Sequence, residues 1–301
     1  MISAILPTMT GARSDVAPPG APGADPRAEI EAFRRRVDAE LAATVATTRA
    51  DLERRDAGAA FLADELARLI DAGGSKLRPT CCYLGFRAGG GGDGPPIVRA
   101  AAALEFLHLL ALIHDDVMDR AEIRRGVATS HRRLASVAPP GADADHVGRS
   151  LAILVGDLAG VCADVLWGRS GFPPERLARA LDRYHAVRLD MAAGQALDIV
   201  GGGEPFGVAA LKGGSYSIAG PLLVGAALAG ASADVVGVLA AFGAPLGTAF
   251  QLLDDLRDGD AAEGVDVSTL EALFAEARAA LTDAPFDPEP LFELVDALER
   301  G

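Results

Sequence analysis

The stretch LEFLHLLALIHDDVMD, residues 104–119, has a counterpart later in the chain, GTAFQLLDDLRD, residues 247–258. In each, a mostly apolar run of helix-forming residues leads into an Asp-Asp-x-x-Asp motif. Residues four apart share one face of a helix, so Asp115 lies beside Asp119 and Asp254 beside Asp258. Both stretches therefore predict apolar helices that carry clustered carboxylates.

Clustered carboxylates on an apolar helix repel one another and resist burial, so something has to offset their charge. Oxygen ligands favour Mg²⁺ over zinc or copper, and Mg²⁺ usually completes its shell with water and phosphate oxygens. A single motif of this kind is more simply explained as a solvated acidic helix end. Two of them predict a pocket in which several Mg²⁺ ions hold a diphosphate.

The composition favours one large helical domain. The chain has 301 residues, half of them hydrophobic, which is enough for a sizeable core. Its net charge of −14 argues against a nucleic-acid partner. The cysteines, Cys81, Cys82 and Cys162, lack metal-ligand spacing and are expected to be reduced residues of a cytoplasmic protein.

Helical periodicity begins near Pro26, and no alternation long enough for a strand follows. Further helices are expected at 57–72, 79–88, 97–119, 129–136, 145–168, 174–200, 206–213, 215–230, 232–258, 266–282 and 288–299. Residues 1–25 lack periodicity and are expected to be a disordered tail, with one all-α domain over 26–301. Polar residues and glycines interrupt every long apolar run, so no transmembrane segment is expected.

Basic residues near the acidic motifs are candidates for binding the diphosphate. Lys76 and Arg78 lie in GGSKLRP, residues 73–79, at an expected helix start where backbone N–H groups favour anions. Arg124 and Arg125 follow the first motif, and the planar fork of arginine matches phosphate oxygens. Each of these residues alone is more often a surface charge, but together with two acidic motifs they favour a diphosphate site.

These segments resemble those of the trans-isoprenyl diphosphate synthases, also called polyprenyl synthetases. The resemblance covers about residues 30–260 and rests on segments in the family's order: GGSKLRP, LEFLHLLALIHDDVMDRAEIRRG, Gly156-Asp157, MAAGQALD, LKGGSYSIAGPL and FQLLDDLRD. It implies an antiparallel all-α bundle around a central cavity, usually a homodimer. Such proteins join an allylic diphosphate to isopentenyl diphosphate and release diphosphate.

The resemblance also implies roles for individual residues. Roughly three Mg²⁺ ions and the allylic diphosphate would be held by six carboxylates: Asp115, Asp116, Asp119, Asp254, Asp255 and Asp258. Arg124 would contact the allylic diphosphate, and the isopentenyl diphosphate would be held by Arg78, His108 and Arg125, with Lys76 as a further candidate. Lys212 and Gln251 would flank the leaving group, and Gln195 would line the cavity near the reacting carbons.

The chain departs from the family pattern at three places. Ser75 stands where the family has a lysine, Lys212 is followed by Gly213 where the family has threonine, and the family's lysine-containing loop after Asp258 is missing. These departures motivate an alternative, a relative that ionises an allylic diphosphate but cyclises it or uses another acceptor. A lesser alternative is a non-catalytic subunit of a heteromeric synthase, against which two complete acidic motifs argue.

Product length is predicted from the residues that precede the first motif. Leu110 and Ala111 lie five and four residues before Asp115, about 6–7.5 Å down the helix. In the family, bulky residues at these positions form the floor of the cavity that holds the growing chain. Neither residue is aromatic, so the expected product is geranylgeranyl (C20) or farnesyl (C15) diphosphate.

Overall fold

The structure is a computed structural model that describes residues 26–124, 126–202, 207–208, 210–258 and 266–300. The α-helices are α1 (Pro26–Arg55), α2 (Phe61–Asp71), α3 (Leu77–Ala88), α4 (Pro95–Met118), α5 (Ser130–Leu134), α6 (Ala144–Gly168), α7 (Pro174–Ile199), α8 (Gly220–Ala229), α9 (Ala233–Asp258), α10 (Val267–Ala280) and α11 (Glu289–Arg300). The fold is therefore the all-α bundle that the sequence predicts. The expected tail, residues 1–25, lies outside the described residues.

The buried side chains of the described residues form two hydrophobic clusters, and each acidic stretch belongs to a different one. The first cluster is built mainly by α1, α2, α4, α6 and α7. The second is built mainly by α9, α10 and α11. Helices α3 and α8 contribute side chains to both clusters, so they are the layer through which the two halves of the bundle are joined.

Two glycines allow α3 and α8 to lie in this shared layer. A Cβ atom added to Gly85 of α3 would lie 2.0 Å from the backbone oxygen of Leu222, and one added to Gly225 of α8 would lie 1.9 Å from that of Cys82. Both distances are far below van der Waals contact. The two helices therefore pack backbone against backbone, which only glycine permits.

Two parts of the chain differ from the sequence prediction. The predicted break between helices 206–213 and 215–230 is wrong: Ala210–Ala219 is a π-helix that runs directly into α8. Its Gly214 packs against α9, where a Cβ on Gly247 would lie 2.4 Å from the Cα of Gly214. Gly214 and Gly247 therefore allow the π-helix and α9 to pack closely, and Gly214 does not form a turn.

A short β-hairpin is the second difference. Strand β1 (Ile123–Arg124) pairs antiparallel with β2 (Val127–Ala128), with Arg124 opposite Val127. Two residues per strand are too few to show a period-2 pattern in the sequence. This hairpin directly follows the first acidic motif and so determines where Arg124 lies.

By length and composition alone, three of the described helices could cross a membrane: α4, α6 and residues Ala233–Asp254 of α9. The glycines and polar residues in these segments do not lower their mean hydropathy enough to exclude this. Within the fold, 67%, 44% and 50% of the three apolar windows are buried. Packing in the bundle thus explains much of their apolarity, and the absence of a transmembrane segment stays a prediction.

The α3–α8 contact generates a prediction about stability. Gly225→Ala should destabilise the protein by about 3 kcal/mol or more, because the added methyl group would collide with backbone atoms that cannot rotate away. Chemical denaturation measures this change. Gly237→Ala is the matched control: Gly237 lies in α9 with no atom within 4 Å of the added Cβ, so alanine should stabilise it by about 0.5–1 kcal/mol. Equal effects of the two substitutions would contradict the contact.

Candidate active site

Both acidic motifs lie at the C-terminal ends of their helices. Asp115 and Asp116 are in the last turn of α4, Asp119 is its C-terminal cap, and α9 ends at Asp258. The C-terminal end of a helix carries partial negative charge, so carboxylates are disfavoured there. The charge placed at these two helix ends therefore calls for cations from elsewhere.

Protein donors meet the first motif from two directions. Arg124, in strand β1, donates a hydrogen bond from Nε to Asp116 Oδ1 at 2.6 Å and lies with Nη2 3.4 Å from Asp115 Oδ2. Gln195, in α7, donates from Nε2 to Asp115 Oδ1 at 2.9 Å. Four predicted site residues from two segments of the sequence are thus brought together at the end of α4.

Asp116 is the most buried carboxylate of this group, with 5% of its surface exposed. Burial raises the pKa of Asp116, and the hydrogen bond and charge of Arg124 offset this rise only in part. The ionised form of Asp116 is therefore costly in the folded protein without a further cation.

The donor set fits Mg²⁺ in its usual open coordination. Among the described residues, no three His, Cys, Asp or Glu side chains come close enough to hold a metal by themselves. Mg²⁺ commonly binds one or two carboxylates and leaves its other positions to water and phosphate oxygens. Oxygen donors at a negatively charged helix end suit that arrangement better than a closed site for zinc.

The second motif is described only in part. Asp254 is exposed and Gln251 is half-buried in α9. The side chains of Asp255, Asp258 and Lys212 lie outside what the structure describes, as does the whole of Arg125. The π-helix that contains position 212 packs along α9, so this segment does adjoin the helix of the second motif.

Two residues predicted at the isopentenyl diphosphate are joined by a pair that the sequence analysis did not single out. Arg78 donates a hydrogen bond from Nη2 to Ser217 Oγ at 2.7 Å, and its guanidinium lies 4.2 Å from the centre of the Tyr216 ring. The Tyr216 hydroxyl lies 3.1 Å from His108 Nδ1. The signal in the sequence was the segment LKGGSYSIAGPL, which contains both residues.

Burial raises the pKa of Tyr216 to about 12, so its hydroxyl stays protonated at neutral pH. Arg78 keeps one donor unused, because its buried Nε has no hydrogen-bond partner among the described residues. The cluster thus combines a fixed cation with groups that hold it in place.

Lys76 lies in a different environment from the one its motif suggests. It precedes α3 with a left-handed backbone (φ 51°), and only 5% of its surface is exposed. Its ammonium lies 3.4 Å from Asp38 and 3.5 Å from Glu105. The neighbouring Ser75 is exposed. Lys76 is therefore neutralised by one buried carboxylate, Glu105, and one exposed carboxylate, Asp38. The assignment of Lys76 to a substrate stays a prediction.

The residues predicted at the cavity floor lie in α4, and Leu110 faces α6. Leu110 and Ala111 are half-buried and pack against the first hydrophobic cluster. Gly160 of α6 makes room for Leu110, whose Cδ1 would be 3.1 Å from an added Cβ. Gly156 does the same for the ring of His114, at 2.3 Å. The close approach of α4 and α6 explains the glycine of the Gly156-Asp157 segment.

The burial of Asp116 generates a prediction about stability and pH. Its raised pKa means that the folded protein retains a proton which the unfolded chain has already lost, so the wild type loses stability as the pH rises through that range. Asn cannot ionise, so without metal at pH 7 Asp116→Asn should melt at the same or a higher temperature than the wild type. The difference should shrink below about pH 4, where the wild-type carboxyl is protonated in both states.

Thermal melts of metal-free protein across pH test this, with Asp254→Asn as the control at an exposed carboxylate. The control should melt like the wild type. A fall of several degrees for Asp116→Asn at pH 7 would show that the ionised carboxylate stabilises the fold.

Comparison with known proteins gives consistent matches. The family model for polyprenyl synthetase matches residues 59–265. The chain is 32% identical over 204 residues to the geranylgeranyl diphosphate synthase of Methanosarcina mazei, covering 65% of this chain and 58% of that protein. It is 32% identical over 219 residues to the farnesyl diphosphate synthase of Geobacillus stearothermophilus, covering 68% of this chain and 69% of that protein.

A solved structure is similar over nearly its whole length. The geranylgeranyl pyrophosphate synthase of Corynebacterium glutamicum, crystallised with isoprenyl diphosphate and magnesium, superposes with a TM-score of 0.78 at 26% identity. The match covers 91% of this chain and 98% of that one. By sequence, however, the match spans less than two thirds of several curated relatives, including 56% of the nonaprenyl diphosphate synthase of Mycobacterium tuberculosis.

Proposed function

The chain belongs to the polyprenyl synthetase family, and on that premise we propose that it is a Mg²⁺-dependent trans-prenyltransferase. It joins an allylic diphosphate to isopentenyl diphosphate and forms a C15 or C20 product. The observation that carries the proposal is the arrangement at the end of α4, where Arg124 and Gln195 converge on Asp115 and Asp116. A permanent cation beside paired carboxylates suits a metal-bound diphosphate.

Six carboxylates would hold the metal ions: Asp115, Asp116 and Asp119 from α4, and Asp254, Asp255 and Asp258 from α9. Bound Mg²⁺ supplies positive charge that stabilises the departing diphosphate oxygens. Arg124 contributes to the same stabilisation as a fixed guanidinium that can bind phosphate oxygens through two N–H groups. No proton donor is needed for this step, because the charge on the leaving group is balanced by cations.

Loss of the diphosphate leaves a carbocation that water would capture. The apolar faces of α4 and α9, which precede the two acidic motifs, can exclude water from that carbon. Arg78, held by Tyr216 and Ser217, would bind the diphosphate of the isopentenyl acceptor beside His108. The acceptor's double bond would then attack the carbocation, which moves the positive charge to the acceptor. The new carbocation would lose a proton from an adjacent carbon to the released diphosphate, and this completes the condensation.

We also propose that the protein acts as a cytoplasmic homodimer. Helix α6 exposes Leu154, Val161 and Val165, which lie on one helix face at spacings of seven and four residues. An exposed apolar stripe of this kind suits an interface between two copies. The three cysteines are free and buried, as expected in a reducing compartment.

The test is a product assay with purified protein and Mg²⁺. Dimethylallyl, geranyl and farnesyl diphosphate are each supplied with and without isopentenyl diphosphate, and products are identified by mass. We expect chain-extended diphosphates that require isopentenyl diphosphate and that disappear with EDTA. The absence of any product from the protein alone would favour the non-catalytic subunit.

A second function, ionisation of an allylic diphosphate with cyclisation or another acceptor, is favoured by one observation. The family's lysine is replaced by the exposed Ser75, and the buried Lys76 is neutralised by Asp38 and Glu105. The predicted acceptor site therefore has less positive charge than the family pattern provides. Hydrocarbons or alcohols formed without isopentenyl diphosphate would establish this second function.

Product length depends on the floor between α4 and α6. Ala111→Phe should shorten the main product, because an aromatic ring would project into the space that the growing chain occupies. Mass analysis of the products from farnesyl and geranyl diphosphate measures the change. Ala111→Ser, which hardly alters the volume, should leave the product unchanged. An unaltered profile for Ala111→Phe would refute this position as the floor.

A further inference from the structure

Glu65 of α2 is a carboxylate with no exposed surface, far from the aspartates in sequence. Ser130 Oγ donates a hydrogen bond to it at 2.7 Å, Arg133 Nε at 2.6 Å and Arg68 Nη2 at 2.5 Å. Burial would raise the pKa of Glu65, but the hydrogen bonds from these three residues hold it below its usual value. Glu65 is therefore an ionised, fully satisfied centre that ties α2 to α5.

The groups around Glu65 also hold the base of the β-hairpin, which is its open end, away from the turn. Helix α5 begins at Ser130, and only Thr129 separates it from strand β2. Arg68, which bonds Glu65, also reaches towards the backbone oxygen of Ala128 at 3.4 Å. Thr129 closes the base, because its Oγ1 donates to the backbone oxygen of Ala121 at 2.7 Å. Strand β2 is thereby fixed relative to α2, and the paired strand β1 with it.

Strand β1 carries the guanidinium that meets the first acidic motif. Arg124 stands opposite Val127 in the hairpin and bonds Asp116 through Nε. A continuous set of contacts thus leads from Glu65 through Ser130 and the two paired strands to Arg124. The links in this set are hydrogen bonds, a strand pairing and the chain itself. A displacement at the base of the hairpin would therefore also displace Arg124.

We propose that Glu65 is a positioning residue for the diphosphate site, acting through the hairpin on Arg124. This rests on the proposed function, in which Arg124 binds the allylic diphosphate. A buried charge is a poor device for stability alone, because well-packed apolar residues of similar volume often stabilise as much or more. Hydrogen bonds of fixed direction from three side chains instead specify one orientation of α5 and the hairpin.

The test is a double-mutant cycle on the binding of inorganic diphosphate in the presence of Mg²⁺, measured by titration calorimetry on the full chain. Glu65→Gln, which keeps the shape and removes the charge, should weaken binding by about ten-fold. Arg124→Gln should weaken it by at least as much. In the Arg124→Gln background, Glu65→Gln should have no additional effect, because Glu65 acts on the ligand only through the Arg124 guanidinium.

Arg133→Gln provides a second variant should Glu65→Gln fail to fold. The Arg133 side chain is 52% exposed, so its loss disturbs the core less while removing one of the donors to Glu65. It should also weaken diphosphate binding only when Arg124 is present. Arg49→Gln is the matched control: Arg49 pairs with Asp64, the neighbour of Glu65, on the exposed side of α2, and its loss should leave binding unchanged.

A purely structural role predicts independent effects, since partial unfolding would reduce binding by the same factor in both backgrounds. Additive effects of Glu65→Gln and Arg124→Gln, or wild-type binding by both Glu65→Gln and Arg133→Gln, would overturn the inference and leave the proposed function standing. If the wild type itself binds no diphosphate with Mg²⁺, the proposed function and this inference both fail.

Discussion

Carboxylates gathered at the C-terminal ends of two apolar helices impose the main physical constraint on this protein. Each helix end already carries partial negative charge, and the first motif also places Asp116 almost fully out of water. Two hydrogen-bond donors stabilise the carboxylates of the first motif: Arg124 from the hairpin and Gln195 from α7. The bundle thus brings one guanidinium and one amide from different parts of the chain to the first motif.

Helices α3 and α8 form the layer that joins the two hydrophobic clusters. Because Gly85 and Gly225 let the two backbones touch, one pair of helices contributes to both hydrophobic clusters. Helix α3 also carries Arg78 at its start, and the π-helix that leads into α8 carries Tyr216 and Ser217. The close contact that joins the two clusters therefore also brings together the groups proposed to hold the acceptor.

Much of the fold and part of the site could be predicted from local features. Apolar periodicity placed most helices within a few residues, and the apolar run before the first motif is a helix with Asp115 in its last turn and Asp119 as its C-terminal cap. The failures occurred where local signals are ambiguous. The predicted helices 206–213 and 215–230 left a break at Gly214, whereas Gly214 lies within the π-helix and packs against α9.

The sequence by itself determined the helical class, the two acidic motifs and the family, because helix periodicity and motif spacing are properties of neighbouring residues. Only the tertiary structure decided that Lys76 is neutralised by Asp38 and Glu105, and that Glu65 lies under the hairpin that bears Arg124. Such partners are separated by tens of residues in the chain. Burial and ion pairing depend on which distant segments pack together, and a local pattern does not contain that information.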